Sequence, residues 1–152
     1  MNEKLKPFVA LQELDTRRLG LRRKLEEAMK RKESIKADLK AAQAGKDKAD
    51  EAKRIREKHL MDAQLRLKSA EERRKQTEAK QLKIANQKEF LAMADQLAGV
   101  KAEIGTIEDE VLGLMDAVEG VRKDAEFAGK AFREQEERTK RIEAELSQAT
   151  TA

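Results

Sequence analysis

The sequence predicts an all-α fold in which two long helices form an antiparallel coiled-coil hairpin. Three observations predict it: the composition, an apolar stripe in each half, and a helix-start signal between the halves. Of 152 residues, 42% are charged and 3% aromatic, and the single proline is Pro7. Such a composition, rich in Ala, Glu, Lys, Leu and Arg, is typical of long helices, whereas a compact globule buries more aromatic and branched apolar surface.

The second half carries an apolar stripe whose spacing alternates between three and four residues. Only Gln135 and Thr139 interrupt it with polar side chains. A stripe of this period over eight heptads predicts an amphipathic helix, from about residue 88 to about 148. Its members are Phe90, Met93, Leu97, Val100, Ile104, Ile107, Val111, Leu114, Val118, Val121, Ala125, Ala128, Phe132, Gln135, Thr139, Ile142, Leu146 and Ala149.

The first half carries a less regular stripe of the same period, which predicts a helix from about 7 to 81. Basic residues such as Arg18, Lys32, Lys46 and Arg74 interrupt it, and their methylene stems can lie along the apolar face while the charge stays in water. Near Lys53 the apolar residues move by one position, so we expect looser packing there.

The turn between the two helices is indicated by Asn86 and Glu89. Asn is a good N-cap residue, and an acidic residue three positions later gives the spacing of a capping box. Because a helix begins here inside continuous helical sequence, the preceding helix ends just before it. We therefore predict a turn at about residues 82–87 and a single hairpin over residues 1–152.

The register follows if Ile84 faces Phe90, since both stripes then stay in step. A slip of one heptad needs a longer connection, and short connections are the norm. Residues 1–86 hold 25 basic and 15 acidic side chains, a net +10, whereas residues 87–152 hold 9 and 15, a net −6. This asymmetry favours the antiparallel pair over a parallel homodimer. The facing pairs are Leu67 with Ile107, Leu60 with Leu114, Ala63 with Val111, Ala42 with Phe132 and Leu25 with Ala149.

The first 24 residues have no partner in this register, although they are rich in apolar side chains. An unpaired apolar helix of this size usually binds something. We therefore predict an overhang that binds a protein partner or self-associates. Its candidate residues are Leu5, Phe8, Leu11, Leu14 and Leu21.

Candidate chemistry is sparse. His59 is the only histidine, there is no cysteine, and no phosphate loop, nucleophile motif or metal-ligand spacing occurs. Two helices also form no concave pocket in which to shift a carboxyl pKa. We expect a protein that is not an enzyme and that binds no cofactor, metal or small-molecule substrate. No apolar run approaches the length of a membrane span and no signal peptide is evident, so the expected location is the cytoplasm.

Basic clusters give the second hypothesis, a nucleic-acid-binding module that uses the basic face of the first helix. No aromatic residue lies among them to stack on a base, which favours the first hypothesis. An arm of a larger coiled-coil assembly is a third, more distant alternative. The candidate basic residues are Arg17, Arg18, Arg22, Arg23, Lys24, Arg73, Arg74 and Lys75.

Three stretches resemble a bacterial protein family that has an N-terminal coiled-coil hairpin and a C-terminal four-Cys zinc ribbon. The stretch LQELD (Leu11 to Asp15) resembles the opening of the family's first helix, and NQKEFLAM (Asn86 to Met93) resembles its Asn-Lys-Glu-Tyr turn, with Phe90 in the aromatic place. The stretch IEDEVLGLMD (Ile107 to Asp116) resembles its second-helix pattern. The resemblance covers most of the chain.

The resemblance implies an adaptor or regulatory protein, because family members are described as binding a sigma factor and secretion or flagellar components, and some as binding nucleic acid. The sequence departs from the family where the two Cys-x-x-Cys pairs would follow, since it closes on SQATTA without cysteine. We expect a relative that lacks the ribbon, or from which the ribbon has been removed. Only the hairpin's role as a protein-binding scaffold then carries over.

Overall fold

The computed structural model describes residues 3–151, with side chains as far as Ala149. A short 3-10 helix, Glu3–Leu5, leads into α1, Lys6–Leu82, and a turn connects it to α2, Gln87–Thr151. The predicted all-α hairpin is confirmed. Relative to the prediction, α1 is longer by one residue at each end, and α2 begins one residue earlier and ends three residues later. Residues 1, 2 and 152, included in the predicted domain and overhang, lie outside the described residues.

The turn consists of residues 83–86 and is closed by backbone and side-chain hydrogen bonds. The amides of Lys83 and Ile84 donate to the carbonyls of Lys80 and Gln81, at 3.1 and 3.2 Å. Asn86 Oδ1 accepts from the amide of Lys88 at 2.9 Å. Its carbonyl accepts the first helical bond, from the amide of Phe90, also at 2.9 Å. Asn86 therefore satisfies one of the amides that a helix start leaves unpaired.

Glu89 does not complete the capping box. Within residues 3–149, no hydrogen bond joins its carboxylate to the amide of Asn86, which was the predicted second bond. Glu89 lies in the first turn of α2, where a negative charge still complements the positive end of the helix dipole. Its contribution is electrostatic and does not depend on a fixed side-chain conformation.

We expect Asn86→Ala to lower the free energy of unfolding by about 1 kcal/mol, because the Lys88 amide loses its acceptor. Urea denaturation followed by circular dichroism measures the change. Asn86→Asp is the matched control, since a carboxylate also accepts at this position, and it should stay close to the wild type. Equal stability of the alanine variant and the wild type would contradict the assigned cap.

Contacts divide the hairpin into two units, each built from both helices. The turn unit is Asp47–Phe127, and the terminal unit comprises the described residues of 1–46 and 128–152. The core of the turn unit contains two alanines that are fully covered and three branched residues from α2 that are less than 9% exposed. Four partly buried apolar residues pack around this core. The core residues are Ala63, Ala70, Ile104, Ile107 and Val111, and those around it are Leu60, Leu67, Val100 and Leu114.

This core has the predicted register. Ala63 and Val111 were predicted to face each other, as were Leu67 and Ile107, and all four lie in the same group. The small alanine side chains face larger ones on α2, which is the layered packing expected of a close helix pair. Where the α1 stripe shifts within the turn unit, Ala52 and Lys53 are both only half-buried.

The core of the terminal unit is interrupted by polar groups. Ile35, Thr139 and Ile142 are buried, at 5, 5 and 8% exposure. Thr139 Oγ1 donates to the carbonyl of Gln135 at 2.7 Å. Among the described residues, Gln135 Nε2 is a buried side-chain nitrogen with no hydrogen-bond partner. The two polar positions of the α2 stripe therefore both lie in this core.

Candidate protein-binding surface

The N-terminal part of α1 has no cover from the rest of the chain. Every residue from 3 to 27 is exposed. Four leucines in this segment continue the three/four spacing of the α1 stripe, which α2 covers further along the terminal unit. They are Leu11, Leu14, Leu21 and Leu25, at 57, 61, 67 and 52% exposure. We call these four leucines the N-terminal stripe. It is the face that a second helix would normally cover in a coiled coil.

A second group of exposed apolar side chains lies on one flank of the N-terminal stripe. Phe8 and Leu19 are 69 and 58% exposed, and their separation of eleven residues, about three helical turns, places them on the same side of α1. Leu5 is 52% exposed one turn before Phe8. The candidate overhang residues predicted from the sequence are thus all exposed, Leu5 in the short 3-10 helix and the others on α1.

A groove forms where the cover provided by α2 ends. It has a volume of about 490 Å³. Sequence reasoning missed this groove. Leu25 is about half exposed there, and Ala149, the residue predicted to face it, is itself exposed. A single methyl group is too small to cover a leucine across the pair. The lining residues are Leu25, Ala28, Met29, Lys32, Lys36, Glu143, Leu146 and Ser147.

The N-terminal stripe runs through a strongly basic segment. Residues 16–25 contain five cationic side chains and no acidic one. Within residues 3–149, none of the five pairs with a carboxylate. In the turn unit, by contrast, Arg73 pairs with Glu103 and Arg74 pairs with Glu78, at 2.8 and 3.2 Å. Of the predicted basic residues, the N-terminal group therefore retains the greater uncompensated charge. Its members are Arg17, Arg18, Arg22, Arg23 and Lys24.

Ion pairs between the helices show how such cations are used where α2 covers α1. In the terminal unit, Arg31 Nη2 lies 3.8 Å from Glu145. In the turn unit, Arg66 pairs with Glu110 and Arg73 with Glu103, at 2.5 and 2.8 Å. Each of these three arginines comes immediately before a member of the α1 stripe. Positions of this kind precede every second stripe member, so they recur every seven residues and form one row along the helix. We call it the flanking row. Its cations in chain order are Arg17, Lys24, Arg31, Arg66, Arg73 and Lys80, and its other members are Ala10, Asp38, Gly45, Ala52 and His59.

The pKa values of the paired groups shift as these contacts require. The hydrogen bond from Arg73 lowers the pKa of Glu103 below its ordinary value, with the positive charge acting in the same direction. The bond from Arg66 likewise lowers the pKa of Glu110. The pKa values of both arginines are raised by the same bonds. Ionised glutamate and charged arginine therefore favour the folded hairpin.

A pH dependence follows from the lowered pKa values of Glu103 and Glu110. A carboxyl group whose pKa is lower in the folded state stabilises the fold at pH values above its ordinary pKa of 4.5. The stabilisation is lost as the pH falls through the pKa that the group has in the folded state. We expect wild-type stability to fall as the pH is lowered below the ordinary value of 4.5. The double variant Glu103→Gln/Glu110→Gln should lose less over the same interval.

Urea denaturation at closely spaced pH values gives both profiles. Other carboxyl groups also titrate in this interval, so the measured quantity is the difference between the two profiles. The double variant Glu108→Gln/Asp109→Asn changes two exposed carboxyl groups for which no ion pair is found within residues 3–149, and is the control. If the control flattened the profile as much as the test variant, the two ion pairs would not be the cause.

The described residues offer little other candidate chemistry. His59 is exposed, and no group of His, Cys, Asp or Glu side chains in residues 3–151 is arranged to hold a metal ion. Neither helix, over those residues, contains a stretch that is long and apolar enough to cross a membrane.

Comparison with known proteins adds no family assignment. No family model, curated protein or solved structure matches this chain. The resemblance to the zinc-ribbon family accordingly stays a prediction.

Proposed function

We propose that this protein is a non-enzymatic coiled-coil adaptor that binds a helix of a partner protein along the N-terminal stripe. The observation that carries the proposal is the continuous exposure of residues 3–27, on which four leucines keep coiled-coil spacing. Burying a leucine side chain fully stabilises by about 1.5–3 kcal/mol. Burial of these four leucines, each more than half exposed, would therefore contribute several kcal/mol to the free energy of binding a partner.

The mode of binding is an amphipathic helix that lies along the exposed face, as in other helix-in-groove complexes. The paired parts of the hairpin hold this face in helical form, so a partner meets a structure that is already ordered and the entropic cost of binding is reduced. The family resemblance supports a bacterial, cytoplasmic adaptor in transcription, secretion or flagellar regulation. The groove lined by Leu25, Met29 and Leu146 would receive one end of the bound helix.

Site-specific photo-crosslinking in the source cells tests the proposal. A photoreactive amino acid at Leu14 should give a discrete adduct with another polypeptide, which mass spectrometry identifies. The same amino acid at Leu65, equally exposed at 60% in the turn unit, is the control and should give no such adduct. The adduct at position 14 should disappear when Leu11 and Leu21 are both replaced by serine.

Two results would overturn the proposal. Adducts of equal yield at positions 14 and 65 would mean that cross-linking reports general surface collisions. An adduct that contains only this chain would mean that the surface pairs with its own copy. Size-exclusion chromatography with light scattering separates the second case, because self-pairing doubles the mass and the double serine variant returns it to that of one chain.

Nucleic-acid binding is the second candidate, supported by the five cations of residues 17–24 that have no carboxylate partner within residues 3–149. A gel-shift series with duplex DNA at rising salt tests it. Because each phosphate contact releases counterions, the affinity should fall steeply with salt if several phosphates are bound. The absence of a shift at low salt would exclude this candidate. The leucines interspersed with these cations favour the protein partner.

A further inference from the structure

We infer that the helix bound by the N-terminal stripe is acidic along its edges, and that it belongs to a different protein and not to a second copy of this chain. This inference rests on the proposed function and specifies the chemistry of the partner. Three features of the structure carry it: the flanking row, the basic residue inside the stripe, and the charges that self-pairing would bring together.

Three cations of the flanking row are matched by acidic residues of α2. Arg31, Arg66 and Arg73 of this row each face a glutamate on α2, namely Glu145, Glu110 and Glu103. Each of those glutamates directly precedes a member of the α2 stripe. Arg17 and Lys24 continue the same row into the exposed segment. A helix that covers the N-terminal stripe therefore faces them with its own flanking positions, and acidic side chains there form the equivalent pairs.

A basic residue within the stripe is no obstacle to such a helix. Arg18 occupies the place in the repeat that Lys46 occupies further along the terminal unit. There Lys46 is half-buried, and its Nζ lies 5.1 Å from the centre of the Phe132 ring on α2. The contact is a cation–π interaction, and the methylene stem fills the apolar face. Arg18 can be covered in the same way by an aromatic or acidic residue of the partner.

A second copy of this segment is a poor occupant in either orientation. In the antiparallel hairpin the flanking row of one helix meets the flanking row of the other, so antiparallel self-pairing would place Arg17 and Lys24 against the same cations of the copy. Parallel pairing would place Arg18 beside its own counterpart within the stripe. Like charges at these positions oppose association, whereas an acidic helix replaces each repulsion with an attraction.

The apolar residues distinguish a protein helix from a nucleic acid. Leu21 lies between the cations, Leu14 and Leu25 lie on either side of them, and all three are more than half exposed. Phosphate contacts require cations but leave such leucines in water. A helix with apolar residues on one face and carboxylates at its edges satisfies both the leucines and the flanking row. The partner inferred is therefore an acidic amphipathic helix.

The test uses the full chain and two labelled synthetic peptides of three heptads. Both carry leucine and isoleucine on one face; the first has glutamate at both edges of that face, and the second has lysine there. Fluorescence anisotropy gives their affinities. We expect the glutamate peptide to bind at least about tenfold more tightly, because several edge pairs change from repulsive to attractive. Adding salt should reduce the difference.

Charge reversal gives the decisive comparison. Arg17→Glu/Lys24→Glu should invert the preference, so that the lysine peptide becomes the tighter ligand. Arg23→Glu/Lys30→Glu is the matched control, with the same change in charge and the same seven-residue separation on the opposite face of α1. It should retain the preference for the glutamate peptide. Circular dichroism verifies that all variants keep the helical content of the wild type.

The outcomes separate this inference from the proposed function. If both peptides bind equally and Leu14→Ser/Leu21→Ser abolishes binding, the stripe is a docking surface but the acidic partner is wrong. If the serine variant binds as the wild type does, both the inference and the proposed function fail. Binding of a short duplex DNA through Arg17 and Lys24 without binding of either peptide would assign the surface to nucleic acid and would overturn the inference.

Discussion

Replacing Ile107 with alanine is expected to lower the free energy of unfolding by about 3 kcal/mol. Ile107 is 6% exposed and lies in the core of the turn unit beside Ala63, Ala70 and Val111. The substitution removes three carbon atoms from a layer that already contains small alanines. Because a two-helix core has no further side chains behind it, the neighbours cannot move in to refill the space.

Urea denaturation followed by circular dichroism measures this loss. Leu112→Ala is the matched control: it removes the same number of carbon atoms from the same helix, but Leu112 is 62% exposed. We expect the control to change stability by about 0.5 kcal/mol or less. Similar losses for the two variants would contradict the register, since both residues would then be packed to the same extent.

Replacing Gln135 with leucine is expected to raise the free energy of unfolding by about 1–2 kcal/mol. The side-chain nitrogen of Gln135 is buried with no hydrogen-bond partner among the described residues, and an unpaired buried donor costs about 1–3 kcal/mol. Leucine removes that cost and makes the α2 stripe apolar at this position. The increase should appear in the same denaturation experiment.

Gln96→Leu is the control for this prediction, because Gln96 is an exposed glutamine of the same helix. It tests whether leucine at any α2 position stabilises through helix propensity alone, an effect worth only a few tenths of a kcal/mol. A gain at Gln96 equal to that at Gln135 would assign the effect to propensity. A loss of stability at Gln135 would mean that its amide finds an acceptor in solution.

Much of this fold is readable in the sequence, because a coiled coil depends on one repeating relation between neighbours. The register that pairs Ala63 with Val111 follows from two stripes and one cap. Asn86 is recognisable because a helix start needs an acceptor at that position. The difference in charge between the two halves, also readable in the sequence, favours the antiparallel pair.

The remainder depends on details that no repeat encodes. Within residues 3–149, Glu89 makes no bond to the Asn86 amide, because an exposed carboxylate gains little from a fixed conformation in water. The groove beside Leu25 depends on how far the small Ala149 side chain reaches. The ring contact of Lys46 depends on a side-chain conformation that brings its amine to Phe132. The location of the exposed surface was predictable from the sequence, but the charge of its partner could be inferred only from the observed ion pairs.

The turn at residues 83–86 also sets the order in which the contacts form. Arg73 and Glu103 are 30 positions apart, whereas Arg31 and Glu145 are separated by most of the chain, so closing the second contact costs more chain entropy. Folding is expected to nucleate at the turn and spread outwards by zippering. Amide hydrogen exchange should accordingly be slowest around Ala63 and Ile107, and faster towards Arg31, where the two helices separate most readily.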